Sequence, residues 1–156
     1  MRKIVWIFTT LLFLFPSLIC LGFEENAKIT DDKTHYDEVV RIIGSLGELY
    51  EREDVSFFMN YVSKDYDGDS LLLEENITDE FAQYDNFVIN IKVDRVSLSE
   101  DKGLIFADSH WDKRRVDVDE GKESSSHGTT KFIFVVGADG ELLLYGMMGG
   151  SVFGEK

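Results

Sequence analysis

The chain of 156 residues contains one cysteine, Cys20, and one proline, Pro16. A lone cysteine excludes an internal disulfide framework, so the stability of any fold has to come from packing. A proline confined to the start leaves the rest of the chain free for uninterrupted helices and strands. Basic residues are also scarce, with 16 Lys and Arg against 30 Asp and Glu, for a net charge of −14. Phosphate backbones are bound by Lys and Arg displacing counterions, so a surface this acidic excludes nucleic acid as a partner. Internal repeats and low-complexity tracts are absent. No cofactor fingerprint occurs. His110 and His127 lack a third ligand at recognisable spacing, so neither a cofactor nor a metal is expected.

Apolar and aromatic residues are plentiful, twelve of them Phe, enough to build one core in a chain of single-domain length. The first 22 residues stand apart. Arg2 and Lys3 precede an apolar run from Ile4 to Phe15, then Pro16 and a stretch ending in Cys20, Leu21 and Gly22. This is the order of a secretory signal peptide, with Cys20 and Gly22 at the −3 and −1 positions of cleavage. Two other outcomes are a lipid anchor on Cys20, against which Ile19 is large for the position before a lipidated cysteine, and an uncleaved membrane anchor, for which the run is barely long enough. All three place the following domain outside the cytoplasm, secreted, periplasmic or membrane-anchored, with membrane contact only through this segment. Without Arg2 and Lys3 the net charge becomes −16.

Residues 23–33 form a polar lead, and the domain is expected over residues 34–154. Tyr36, Val39, Val40, Ile43, Leu46 and Tyr50 recur at helical spacing, which predicts an amphipathic helix to Arg52 with Thr34 as its cap. Gly44 and Gly47 within it predict a place where another backbone comes close. Asp54 caps a second, shorter helix ending near Lys64. Residues 65–69 read as an acidic turn; its Asp spacing fails the calcium-loop pattern at Ser70 and Asn76. Leu71 to Leu73 suggest a small strand, and Asn76 to Tyr84 a third short helix capped by Asn76 or Thr78. Asn76-Ile77-Thr78 also fits the glycosylation sequon.

Long alternating runs follow. Phe87, Ile89, Ile91 and Val93 mark a strand whose phase shifts near Arg95, which predicts a bulge. Leu104 to Val116 is a second long strand, residues 117–126 a polar loop, Thr129 to Val136 a third strand, and Ala138-Asp139-Gly140 a tight turn into Glu141 to Met148. The short basic cluster Lys113-Arg114-Arg115 reads as a solvated strand face.

Three passages carry a resemblance: Glu48 to Asp54 leading to Asp65-Tyr66, Gly103-Leu-Ile-Phe-Ala107 through Trp111, and Phe132 to Leu144. Together with the order of elements they are similar to the nuclear transport factor 2-like superfamily, which includes the SnoaL-like cyclases and ketosteroid isomerases. Leu143 and Leu144 depart from it where many relatives carry a Trp. The resemblance implies an α+β fold, a cone-shaped, strongly curved antiparallel sheet wrapped around a long N-terminal helix with two further short helices. It also implies a cavity at the open end and a homodimer through the outer sheet face.

The resemblance does not fix an activity, since one scaffold hosts many. The best acid-base candidates are Asp108 and His110, two residues apart on one face of a strand and about 7 Å apart along it. Tyr50, Tyr61, Tyr66 and Trp111 are candidates for lining a pocket. The expected function is a non-catalytic module binding a small apolar ligand or a partner protein. The alternative is a small-molecule isomerase, cyclase or hydratase with Asp108 and His110 pointing inward.

Overall fold

The computed structural model describes residues 29–99 and 103–154. The signal-peptide, lipid-anchor and membrane-anchor expectations fall on residues outside those described. Among the described residues no helix is long and apolar enough to cross a membrane.

The elements run β1 (Ile29–Asp31), α1 (Tyr36–Glu51), α2 (Val55–Met59), α3 (Ser70–Gln83), β2 (Tyr84–Ser99), β3 (Leu104–Asp117), β4 (Glu123–Val136) and β5 (Leu142–Gly149). The strands make one open antiparallel sheet in sequence order, so the α+β class agrees with expectation. Only β1 was unforeseen, in the stretch read as polar lead; it pairs with residues 97–99 of β2. The bulge near Arg95 is present as a register shift between Val93 and Arg95.

Helix α1 follows its apolar spacing: Val39, Ile42, Ile43, Leu46 and Tyr50 are buried against the sheet. Its start is held by Asp32, which accepts from the backbone N–H groups of Thr34 and His35, and Thr34 makes no side-chain cap. Helix α2 has the expected Asp54 cap, accepting from Phe57 N–H, but stops at Met59. The chain then bridges to β5, where Ser63 N–H donates to Leu144 and Leu144 N–H donates to Tyr61.

Two expectations are corrected here. Leu71 to Leu73 are the first turn of α3, because Asp69 accepts from the N–H groups of Leu71 and Leu72 and so begins the helix earlier. Asn76 and Thr78 therefore sit inside the helix and cap nothing. The polar loop is also shorter than expected. Residues 123–128 are strand, because the polar end of β3 is paired along its length, Trp111 with Gly128 and Val116 with Glu123. Serine-rich composition concealed this, since neither face of that end carries an apolar alternation.

The inner face of the sheet carries Ile105, Ala107 and Trp111 from β3, Phe132 and Phe134 from β4, and Leu142 and Leu144 from β5. Trp111 lies across its partner Gly128, where a Cβ would fall 2.8 Å from the indole. After β5 the chain turns back, and Val152 and Phe153 enter the core with no exposed surface. The Phe153 ring lies 4.9 Å from Phe58 and 5.0 Å from Tyr50 between ring centroids. The space between α1, α3 and the sheet is thus filled by side chains of the chain itself. Truncating Phe153 removes a buried aromatic that several elements enclose. Phe153→Ala is expected to lower unfolding free energy by about 3–5 kcal/mol in urea titration, whereas a peripheral residue would cost well under half that.

Candidate functional site

The polar chemistry of the interior centres on Glu80. It follows Leu73 and Ile77 on the buried stripe of α3, so the helix period itself delivers a carboxylate to the core. Glu80 is 3% exposed and Lys113, opposite it on β3, is 0% exposed. Lys113 Nζ donates to Glu80 Oε1 at 2.6 Å and to the Val152 carbonyl at 3.0 Å. Arg115 donates to the same carboxylate and lies 4.1 Å from the Tyr84 ring centroid. The Tyr50 hydroxyl donates to Glu80 Oε2 and accepts from Gly154 N–H at 2.9 Å.

This corrects the expectation of a solvated basic strand face. Lys113 and Arg115 alternate with Arg114, and only Arg114 lies wholly on the outer side, loosely paired with Glu123 at 3.7 Å. A buried charge requires a partner, and the partner lies 33 residues away on a helix. Sequence proximity could not supply it.

Burial by itself would raise the Glu80 carboxyl. The Lys113 ammonium, the hydrogen bonds from Lys113 and Tyr50, and the Arg115 charge together outweigh burial and hold it below the ordinary carboxylate value. Burial, then the adjacent Glu80 charge, pushes the Tyr50 phenol well above the ordinary tyrosine value. Both groups are thus fixed in one protonation state at neutral pH, Glu80 ionised and Tyr50 neutral.

Beside this cluster a cleft of about 370 Å³ opens between α3 and the segment after β5. Tyr66, Leu72, Leu73, Met147 and Phe153 give it apolar walls, and Asn76 faces it from α3. The Asn76 side-chain oxygen is buried with no hydrogen-bond partner among the described residues. Gly154, with φ of 66°, passes directly over Asn76, and a Cβ there would fall 2.9 Å from the Asn76 Cβ. The sequon is therefore set into a packed helix: Ile77 is fully buried and the Thr78 hydroxyl donates to Glu74. A larger groove of about 510 Å³ beside the β4–β5 hairpin is not lined by any of the buried side-chain atoms left without a partner.

The candidates from sequence are dispersed. Asp108 and His110 share a face as spaced, but it is the outer face, away from α1. Asp108 is held by Arg95 at 2.9 Å and Lys131 at 3.4 Å, while His110 pairs with Asp94 at 2.9 Å. Trp111 points inward and its indole N–H donates to Thr130 at 3.0 Å. Tyr50 belongs to the Glu80 cluster, Tyr66 lines the cleft, and Tyr61 is half-buried beside the core. Glu80 and Asn76 were missed as site residues, though the Leu73–Ile77–Glu80 spacing was a readable signal for the first. In the acidic turn, Asp69 is spent on capping α3, and no group of three or more metal-ligating side chains occurs among the described residues.

No protein-family profile matches the chain, and no curated protein does. Solved structures do. A nuclear transport factor 2-like superfamily protein from Salmonella enterica aligns with TM-score 0.62 at 12% identity, over 77% of this chain and 91% of the other. A ketosteroid isomerase-like protein from Erwinia carotovora atroseptica aligns with TM-score 0.63 at 12% identity, over 78% and 98%. ActVI-ORFA from Streptomyces coelicolor aligns with TM-score 0.59 at 20% identity, over 73% and 95%. The fold is nuclear transport factor 2-like, as the resemblance implied. At these identities the likeness concerns the fold alone.

The depressed Glu80 carboxyl fixes the sign of a pH dependence. Its contribution to stability is complete above the unfolded value of about 4.5 and is lost as pH falls below that toward the depressed folded value. Glu80→Gln is expected to cost about 3–5 kcal/mol at neutral pH. The variant should also lose less further stability than the parent chain between about pH 4.5 and pH 3. Urea titrations at both pH values measure this, and parallel acid limbs would contradict it.

Proposed function

We propose that this chain, nuclear transport factor 2-like in fold, is an exported module without catalytic activity. Its ligand is a small apolar molecule bearing a hydroxyl or amide donor, bound in the cleft beside α3. The observation that carries the reading is the cleft itself, with apolar walls from Tyr66, Leu72, Leu73, Met147 and Phe153 and, on its α3 side, Asn76, whose buried side-chain oxygen has no hydrogen-bond partner among the described residues. Leaving such a group unsatisfied costs about 1–3 kcal/mol, which a ligand donor would recover on binding. The apolar walls supply affinity and the Asn76 acceptor supplies orientation, a common division of labour in small-molecule sites.

The alternative, an isomerase, cyclase or hydratase, needs a group that gives or takes a proton beside the substrate. Glu80 is committed to Lys113, Arg115 and Tyr50, and Asp108 and His110 lie on the other face of the sheet. Support for export is the basic start, apolar run and small-residue end of the first 22 residues.

Two neutral probes of similar size test the cleft. 1-Naphthol carries a hydroxyl donor and 1-methoxynaphthalene does not. Fluorescence titration is expected to show 1-naphthol binding about tenfold more tightly. Asn76→Leu should bring the two together by weakening only 1-naphthol. Equal binding of both probes to the parent chain would overturn the reading.

A further inference from the structure

The sheet has an edge that the described residues cover only in part. On β2, β1 pairs with residues 97–99, and Asp32 N–H extends that cover to Val96. Between Tyr84 and Arg95 no described strand lies on that side of β2. Two side chains of α1 stand in for one. The Glu51 carboxylate accepts from Ile89 N–H at 2.7 Å, and the Tyr36 hydroxyl donates to the Val93 carbonyl at 3.2 Å. In an extended strand alternate residues direct both backbone groups to the same side. Ile91, midway between these caps, therefore presents its N–H and C=O outward, on the side away from β3.

Beside Ile91 runs a groove of about 190 Å³, floored by Gly44 and Gly47 of α1 and walled by Glu48, Glu51, Ile89 and Ile91. Glycine inside a helix is unfavourable, and the usual compensation is a neighbour too close for a Cβ. Here a Cβ on either glycine would meet nothing within 4 Å. The sequence expectation of a close backbone is unmet among the described residues. The space is held open next to unpaired strand edge.

We infer that this groove docks an extended basic peptide, which adds to the sheet as a strand along β2 from Ile89 to Val93. Its backbone would pair with Ile91, one apolar side chain would sit over Gly44 and Gly47, and Lys or Arg would face Glu48 and Glu51. Glu48 is held only loosely, by Arg52 at 3.9 Å, and Glu51 would exchange its bond to Ile89 for the charge of the peptide. Backbone pairing gives affinity in this mode, and alternate side chains give selectivity. Charge decides the occupant. A second copy of the chain would bring the same two glutamates together on molecules each carrying a net charge of −14, whereas a basic strand neutralises them.

The probe is a capped peptide of alternating Lys and Val, titrated into the isotope-labelled full chain and followed by NMR. Its controls are the same peptide N-methylated along one edge and an acidic twin with Glu in place of Lys. The parent peptide should shift the Ile89 and Ile91 amides and slow Ile91 amide exchange. N-methylation, the acidic twin and Gly44→Leu should each weaken binding about tenfold or more. Gly44→Leu fills the groove while improving helix propensity, so the fold is retained. Shifts confined to other surfaces, indifference to N-methylation, or no binding at millimolar peptide would overturn the inference. So would a dimer in sedimentation with Ile91 already protected, which would make a second copy the occupant.

Discussion

The structure depends on how one carboxylate is satisfied inside it. Glu80 accepts from α1 through Tyr50 and from β3 through Lys113 and Arg115, and two of those donors also hold the segment after β5. Lys113 reaches the Val152 carbonyl, and Gly154 reaches the Tyr50 hydroxyl. Helix, sheet and final segment are thus tied at one point. Hydrogen bonds to charged groups in a dry interior are stronger than those at the surface, and each is expensive to leave unmade. The aromatic residues around the cluster keep water out, with Phe81 and Phe87 4.6 and 5.3 Å from the Tyr50 ring.

That arrangement bears directly on function. A scaffold that elsewhere supports many chemistries can do so only if its interior offers space and a group able to change state. Here the interior holds Phe153 and the Glu80 cluster, in which Glu80 is held ionised and Tyr50 neutral at neutral pH. The open features around it include the cleft beside α3, the groove beside the β4–β5 hairpin and the strand edge beside two glycines.

Much of the fold was legible because its apolar spacing is regular. Helix α1 reads from Val39 to Tyr50, the β2 bulge from the broken alternation at Arg95, and the last hairpin from Ala138-Asp139-Gly140. The misreadings share a physical cause. Residues 71–73 look like a strand by composition, yet Asp69 starts a helix there. Residues 123–128 look like a loop, yet β3 needs a partner. Lys113 looks like a surface residue because its counter-charge is remote in sequence. The candidate site suffered most from this. Asp108 and His110 were singled out for their chemistry, while alternation with the inward Trp111 already placed them on the other face. Asn76 looked like a cap or a sequon, because an unsatisfied acceptor is a property of the packed molecule and leaves no local signature.

The central claim is that the segment carrying Val152 to Gly154 is part of the core, held by Tyr50 and Lys113, and that the interior is consequently closed. Native-state amide hydrogen exchange at Gly154 tests this most directly, because its N–H is donated to the Tyr50 hydroxyl inside the core. The account predicts that Gly154 exchanges only with global unfolding, with the same opening free energy as the Phe132 and Phe134 amides of β4. Exchange at the rate of a frayed segment, while β4 remains protected, would show that the segment leaves and the interior opens, and would contradict the account.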